Sequence, residues 1–122
     1  MGAAADIKSA MIQIEAELDS SGVLVAYRAA GHAGAGPRGQ DIVCAAVSVL
    51  SRSLVRALQD KEGVNIQADA PERGVFSVAI NYSDHARQFL RGTGTFLLEG
   101  LNSIAEEYPE FCNLTIVKKK LS

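Results

Sequence analysis

Ile12-Gln13-Ile14-Glu15-Ala16-Glu17-Leu18 alternates apolar and polar residues, the period of two that marks a strand with one buried face. Asp19-Ser20-Ser21-Gly22 supplies turn chemistry, and Val23 to Ala30 is β-branched and aromatic enough to return as a second strand. A hairpin of alternating strands belongs to a sheet that is mainly antiparallel and buried on one face.

The pattern breaks at Gly31. From there to Gln40 the chain carries Gly31, Gly34, Gly36, Gly39 and Pro37, a composition that reads as a mobile loop. Asp41 is a good N-cap, and Ile42 to Asp60 has helical apolar spacing at Val43, Val47, Leu50, Leu54 and Leu58. Val64, Ile66 and Ala68 alternate again, Pro71-Glu72-Arg73-Gly74 turns, and Phe76, Val78, Ile80 and Tyr82 share one side of a fourth strand. Ser83 is placed to cap a second helix with an apolar stripe of Phe89, Thr93, Phe96/Leu97, Leu101, Ile104 and Tyr108, stopped by Pro109. Gly92, Gly94 and Gly100 each lower helix propensity by ~1 kcal/mol relative to alanine, which predicts a kink or a close backbone approach. Leu114 and Ile116 supply a last short strand. The order β-β-α-β-β-α-β predicts an α+β two-layer sandwich, one sheet covered by two helices.

At 122 residues the chain has the size of one domain, residues 1–122, with no room for separate cofactor and substrate domains. Twelve basic against fourteen acidic residues give a formal charge of −2, which argues against direct nucleic-acid binding through a basic face. The one basic run, Lys118-Lys119-Lys120, reads as a solvated tail that keeps a last strand from pairing with other chains. No apolar stretch approaches the ~20 residues needed to span a bilayer, and the start lacks a secretory h-region, so the expected location is cytoplasmic. Two cysteines in different surroundings are expected to be thiols, not a disulfide.

The stretch that carries chemistry is Gly31-His32-Ala33-Gly34-Ala35-Gly36-Pro37-Arg38-Gly39-Gln40-Asp41-Ile42-Val43-Cys44-Ala45-Ala46-Val47-Ser48. If Asp41 is the cap, Cys44 is the third helical residue, near the free N–H groups and the positive end of the macrodipole. That position lowers a thiol's pKa, and the thiolate is the nucleophile. The glycine loop would let His32 fold back to the sulfur, and a Cys–His pair suffices for acyl transfer from a peptide. The plainer reading is a packed, inert thiol on an apolar helix. Gly34 to Gly39 also spells G-x-G-x-x-G, but the cap follows the third glycine and the next acid, Asp69, comes thirty residues later where about twenty is usual. His32 and Cys44 are too few for a zinc site, and neither metal nor cofactor is expected. His85 and Cys112 have no partner at informative spacing and read as structural.

At these residues the sequence resembles the ribosomal-processing cysteine proteases, small bacterial proteins. Their pattern is Gly-His-Ala, a glycine-containing loop, Asp-Ile-Val-Cys-Ala and a serine four residues after the cysteine. Here it reads Gly31-His32-Ala33, Gly34 to Gln40, Asp41-Ile42-Val43-Cys44-Ala45 and Ser48, with Glu106 to Pro109 extending the resemblance more weakly. The resemblance implies a homodimeric endopeptidase that removes the N-terminal extension of large-subunit ribosomal protein number twenty-seven. It makes Cys44 the nucleophile and His32 the general base, then acid, and Gly34, Gly36 and Gly39 part of a mobile segment beside them. Asp41 either caps the helix or orients His32. Ser48, one turn beyond Cys44, either meets substrate or the loop or bonds back to the Cys44 carbonyl; Gly31 lets the chain turn at the strand end. A non-catalytic ribosome-associated module binding peptide or RNA is the rival reading, with Cys44 merely packed.

Overall fold

The computed structural model describes residues 11–31, 38–71 and 74–119, with side chains for all of these but residues 38–41. The opening hairpin forms as the alternation requires: β1 (Ile12–Leu18) pairs antiparallel with β2 (Leu24–Ala30), Gln13 opposite Ala30, with an irregularity between Glu17 and Leu18. The turn is held by Asp19, whose carboxylate accepts the backbone N–H groups of Ser21 (2.9 Å) and Val23 (3.0 Å), while Gly22 takes φ 80°, a conformation open to glycine at no steric cost.

Helix α1 (Arg38–Leu58) follows, then β3 (Val64–Asp69), β4 (Val75–Tyr82), a 3-10 turn (Asp84–Ala86), helix α2 (Arg87–Glu107) and β5 (Cys112–Lys118). The five strands form one sheet in the order β3-β4-β2-β1-β5. All neighbours are antiparallel except β1 and β5, which run parallel in register from Ile12 opposite Cys112 to Leu18 opposite Lys118. The parallel pair follows from the crossover through α2. The architecture is therefore the expected α+β two-layer sandwich with two helices on a mainly antiparallel sheet.

The core lies between sheet and helices. Ile12, Ile14 and Ala16 of β1, Tyr27 and Ala29 of β2, and Val78 and Ile80 of β4 meet Val43, Val47, Leu54 and Leu58 of α1 and Leu90, Leu97 and Leu101 of α2. Burying each of the valine, leucine and isoleucine side chains among them contributes about 1.5–3 kcal/mol.

The second helix departs from expectation. Its buried stripe is Leu90, Gly94, Leu97 and Leu101, whereas Phe89 is 37% and Phe96 78% exposed. Leu97, Leu101, Ile104 and Tyr108 of the expected stripe do face the core, but anchoring its first half on Phe89 and Thr93 turns that half by about one position, ~100° around the helix; the correct phase puts Gly94 against the sheet. There a Cβ would lie 3.2 Å from the Leu24 Cβ, and at Gly100 one would lie 3.2 Å from Leu50 Cδ1. Those two glycines are the expected close approaches, while Gly92 faces open space. Ser83 precedes the 3-10 turn in extended conformation, but its side chain makes no capping hydrogen bond. Helix α2 ends at Glu107 with Tyr108 as its cap, one residue before Pro109. The last strand is longer than Leu114 and Ile116 suggest because its first residue, Cys112, is buried (2% exposed) and anchors it.

Candidate active site

The site is built where β2 ends and α1 begins. Gly31 leaves the strand at φ 120°, and its N–H donates to the Gly74 carbonyl at 2.9 Å. A Cβ there would overlap the Met11 carbonyl oxygen and sit 3.0 Å from Ile12 Cα. Both the dihedral and the contact demand glycine, so the strand end adjoining residue 32 is pinned by backbone on two sides. His32, Gly34 and Gly36 lie outside the described residues.

Helix α1 starts at Arg38, three residues before the expected cap. Asp41 is thus the fourth helical residue and not the N-cap, and Gly39, read as loop, is helical in its backbone. The glycine-rich composition hid this start. A single glycine between Arg38 and Gln40 lowers helix stability by only ~1 kcal/mol, which the long amphipathic continuation outweighs. Cys44 consequently stands seventh in the helix, in its second turn and not its first. Because helical Cα–Cβ bonds tilt toward the N-terminus, its Cβ leans back toward the turn that opens the helix.

Cys44 is half-buried and packs against the hydrophobic core from its margin. Cys112 is fully buried, and burial pushes its thiol pKa up from 9.0. The two are not bridged to each other. Ser48 is exposed. His85 is exposed at the start of the 3-10 helix region, its ring against Gly63.

Sequence reading missed the residues that hold the helix of Cys44 in place. Ser51, two turns beyond Cys44, is a buried polar residue of α1, and its hydroxyl lies 2.8 Å from that of Tyr27 on β2. Tyr27 also meets the Phe76 ring edge-on at 6.0 Å, and burial raises its phenol pKa above 10.0 while the Ser51 hydrogen bond opposes the rise. The available signal was Ser51 standing at helical spacing between Val47 and Leu54, on their face of the helix.

Among the described residues no group of three or more His, Cys, Asp or Glu side chains could hold a metal ion, and no helix is long and apolar enough to cross a membrane. A concavity lined by Glu15, Glu17, Arg28, Asp69 and Ser77 opens on the sheet face opposite the helices, away from Cys44.

Comparison with known proteins shows the family. A family model described as cysteine protease Prp matches residues 11–113. The crystal structure of SMU.848 from Streptococcus mutans is 32% identical, with a TM-score of 0.75 over 92% of this chain and 98% of that one. The essential ribosomal processing protease Prp from S. aureus, solved with a substrate peptide, is 25% identical, with a TM-score of 0.72 over 87% of this chain and 99% of its own. The same S. aureus protease with a covalently linked product peptide gives 25% identity and a TM-score of 0.69, over 89% of this chain and 100% of its own. No curated relative matches the chain.

Proposed function

Because the chain belongs to the family of the cysteine protease Prp, we propose that it removes the N-terminal extension of large-subunit ribosomal protein number twenty-seven through a Cys44–His32 dyad. Membership makes it a cysteine-type endopeptidase; the substrate and the residue roles are the proposal. The observation that supports the dyad is the short separation between Gly31 and Arg38: residues 32–37 alone lie between the pinned end of β2 and the described start of α1, so in this reading the histidine that follows Gly31 acts on the cysteine of the second helical turn.

In this reading His32 takes the thiol proton of Cys44, and the sulfur attacks the scissile carbonyl carbon. The oxyanion is met by donors at the start of α1. His32 returns the proton to the departing amine, which leaves a thioester on Cys44. Water, deprotonated by His32, then displaces the sulfur, and the acid product is released with the thiol restored. Covalently linked product on the S. aureus relative is in keeping with such an intermediate. Ser48, one turn from Cys44 and exposed, would face incoming peptide. The resemblance further implies a homodimer, and a ribosomal precursor as substrate places the enzyme in the cytoplasm.

The test is cleavage of a synthetic precursor peptide carrying the extension, followed by mass spectrometry. Cys44→Ala, Cys44→Ser and His32→Ala are each expected to lower the rate by more than about a thousandfold with the circular dichroism spectrum unchanged. Cleavage surviving in either cysteine variant would overturn the assigned nucleophile, and a wild-type protein that binds the peptide without cutting it would be a binding module.

A further inference from the structure

The outer edge of β5 is the structural feature that the protease reading does not use. In a parallel pair every second residue bonds to the neighbouring strand. The Phe111 carbonyl accepts from the Ile12 N–H at 2.9 Å, and the Lys119 N–H donates to the Leu18 carbonyl at 2.6 Å, so the odd-numbered residues turn their backbone groups toward β1. Leu114, Ile116 and Lys118 therefore turn theirs outward, along an edge that ends the sheet. Ile116 is 48% and Val117 44% exposed, and from Cys112 to Val117 this edge holds no charge and no proline, the devices that ordinarily blunt one.

Charge is arranged along the edge with polarity. Glu106, Glu107 and Glu110 precede the strand, and Lys118 and Lys119 close it; all five are exposed. We infer that β5 pairs antiparallel with β5 of a second copy of this chain about a two-fold axis at Thr115, joining the sheets of two protomers into one. The inference rests on the homodimer reading above and adds where the two copies meet. With the axis at Thr115, Leu114 falls opposite Ile116 of the second copy and Cys112 opposite its Lys118, so the outward-turned residues face one another as hydrogen-bonded pairs. The exposed Ile116 then packs beside Leu114, extending the core across the junction. The lysine end of each strand meets the glutamate end of the other, with Lys118 diagonal to Glu110 and within reach of its long side chain. A parallel arrangement would bring lysine onto lysine. The lysines thus select the partner's orientation and do not forbid a partner.

Sedimentation equilibrium of the full chain and its variants tests this. Ile116→Pro removes an outward N–H and leaves the ladder to β1 intact, a position where an edge strand tolerates proline, and is expected to raise the dimer dissociation constant by about tenfold or more. Lys118→Glu and Glu110→Lys are each expected to raise it several-fold, and the double exchange to restore it. Folded single variants that dimerise like the wild type would overturn the β5 interface, as would dissociation caused instead by Phe96→Asp or Val49→Asp on the exposed helical face. A wild type that stays monomeric at every concentration would overturn the homodimer reading itself, and the interface with it.

Discussion

Tyr27 and Ser51 join their hydroxyls across 2.8 Å inside the core, and this bond ties the strand that leads to His32 to the helix that carries Cys44. It fixes α1 in register over β2 at a point two helical turns from the cysteine. Tyr27→Phe leaves the Ser51 hydroxyl buried without its partner and is expected to destabilise the fold by about 1–3 kcal/mol. Adding Ser51→Ala should recover part of that loss, since removing both polar groups is far less harmful than removing one. Urea unfolding of the two single variants and the double variant measures the coupling, and additive losses would mean that the bond does not hold the two elements together.

Gly31 admits no substitute. Alanine there would have to hold φ 120° and would overlap the Met11 carbonyl oxygen, and strain of this kind is worth about 1–3 kcal/mol before any clash is counted. Gly31→Ala is expected to lower the melting temperature by several degrees and to reduce peptide cleavage in the fraction that remains folded, because the strand end beside His32 is displaced. Melting curves with cleavage assays well below the transition separate the two effects.

The glycines of α2 should respond in a graded order. Gly92→Ala meets open space and is expected to stabilise by up to about 1 kcal/mol. Gly100→Ala meets the end of the Leu50 side chain, which can move aside, so a smaller gain is expected. Gly94→Ala presses on the Cβ of buried Leu24, which is fixed to the sheet, and a net loss is expected. Thermal unfolding that ranks the three otherwise would show that helix and sheet accommodate each other at Leu24.

How much of this was legible follows from which signals are local. The hairpins, the element order and the apolar stripe of α1 were readable because a period of two or of 3.6 residues is written in consecutive residues. The phase of α2 was not, because Gly94 is buried for its lack of a side chain and hydropathy scores its aromatic neighbours higher. The start of α1 was hidden by Gly39, whose loop-like reading assumed that every glycine near a turn belongs to it. Tyr27 with Ser51 was invisible, being a pair 24 residues apart that only the packing of helix on sheet brings together. Cys44 could be singled out by its place after a histidine and a glycine-rich stretch, but its helical turn could not.

Asp19 makes stability depend on pH at the acidic end. Burial would raise its pKa, but hydrogen bonds from Tyr82 and from the backbone N–H groups of Val23 and Ser21, with Arg87 nearby, outweigh that and hold it below 3.8. A carboxyl lowered on folding contributes stability that is present above its unfolded pKa and is lost as pH falls through the folded one. Asp19→Ala is therefore expected to lose about 1–2 kcal/mol at neutral pH, from the turn's hydrogen bonds. The gap to the wild type should narrow as pH drops below 3.8. Urea midpoints at pH 7 and pH 3 test it, and a gap independent of pH would mean that the carboxylate's charge plays no part.

Cys44 and Cys112 should differ in reactivity for reasons that the fold makes plain. Cys112 is 2% exposed, beneath α2 at the start of β5, and burial raises its pKa, which depletes the thiolate that an alkylating reagent needs. Cys44 is half-buried at the core margin. Iodoacetamide at neutral pH is expected to modify Cys44 in the folded protein while Cys112 reacts only on unfolding, with peptide mass mapping over time as the readout. Equal slow labelling of both would assign Cys44 to the inert core and remove the nucleophile from the proposed reaction. Preferential labelling of Cys44, slowed by the precursor peptide, would place that sulfur in the substrate's path.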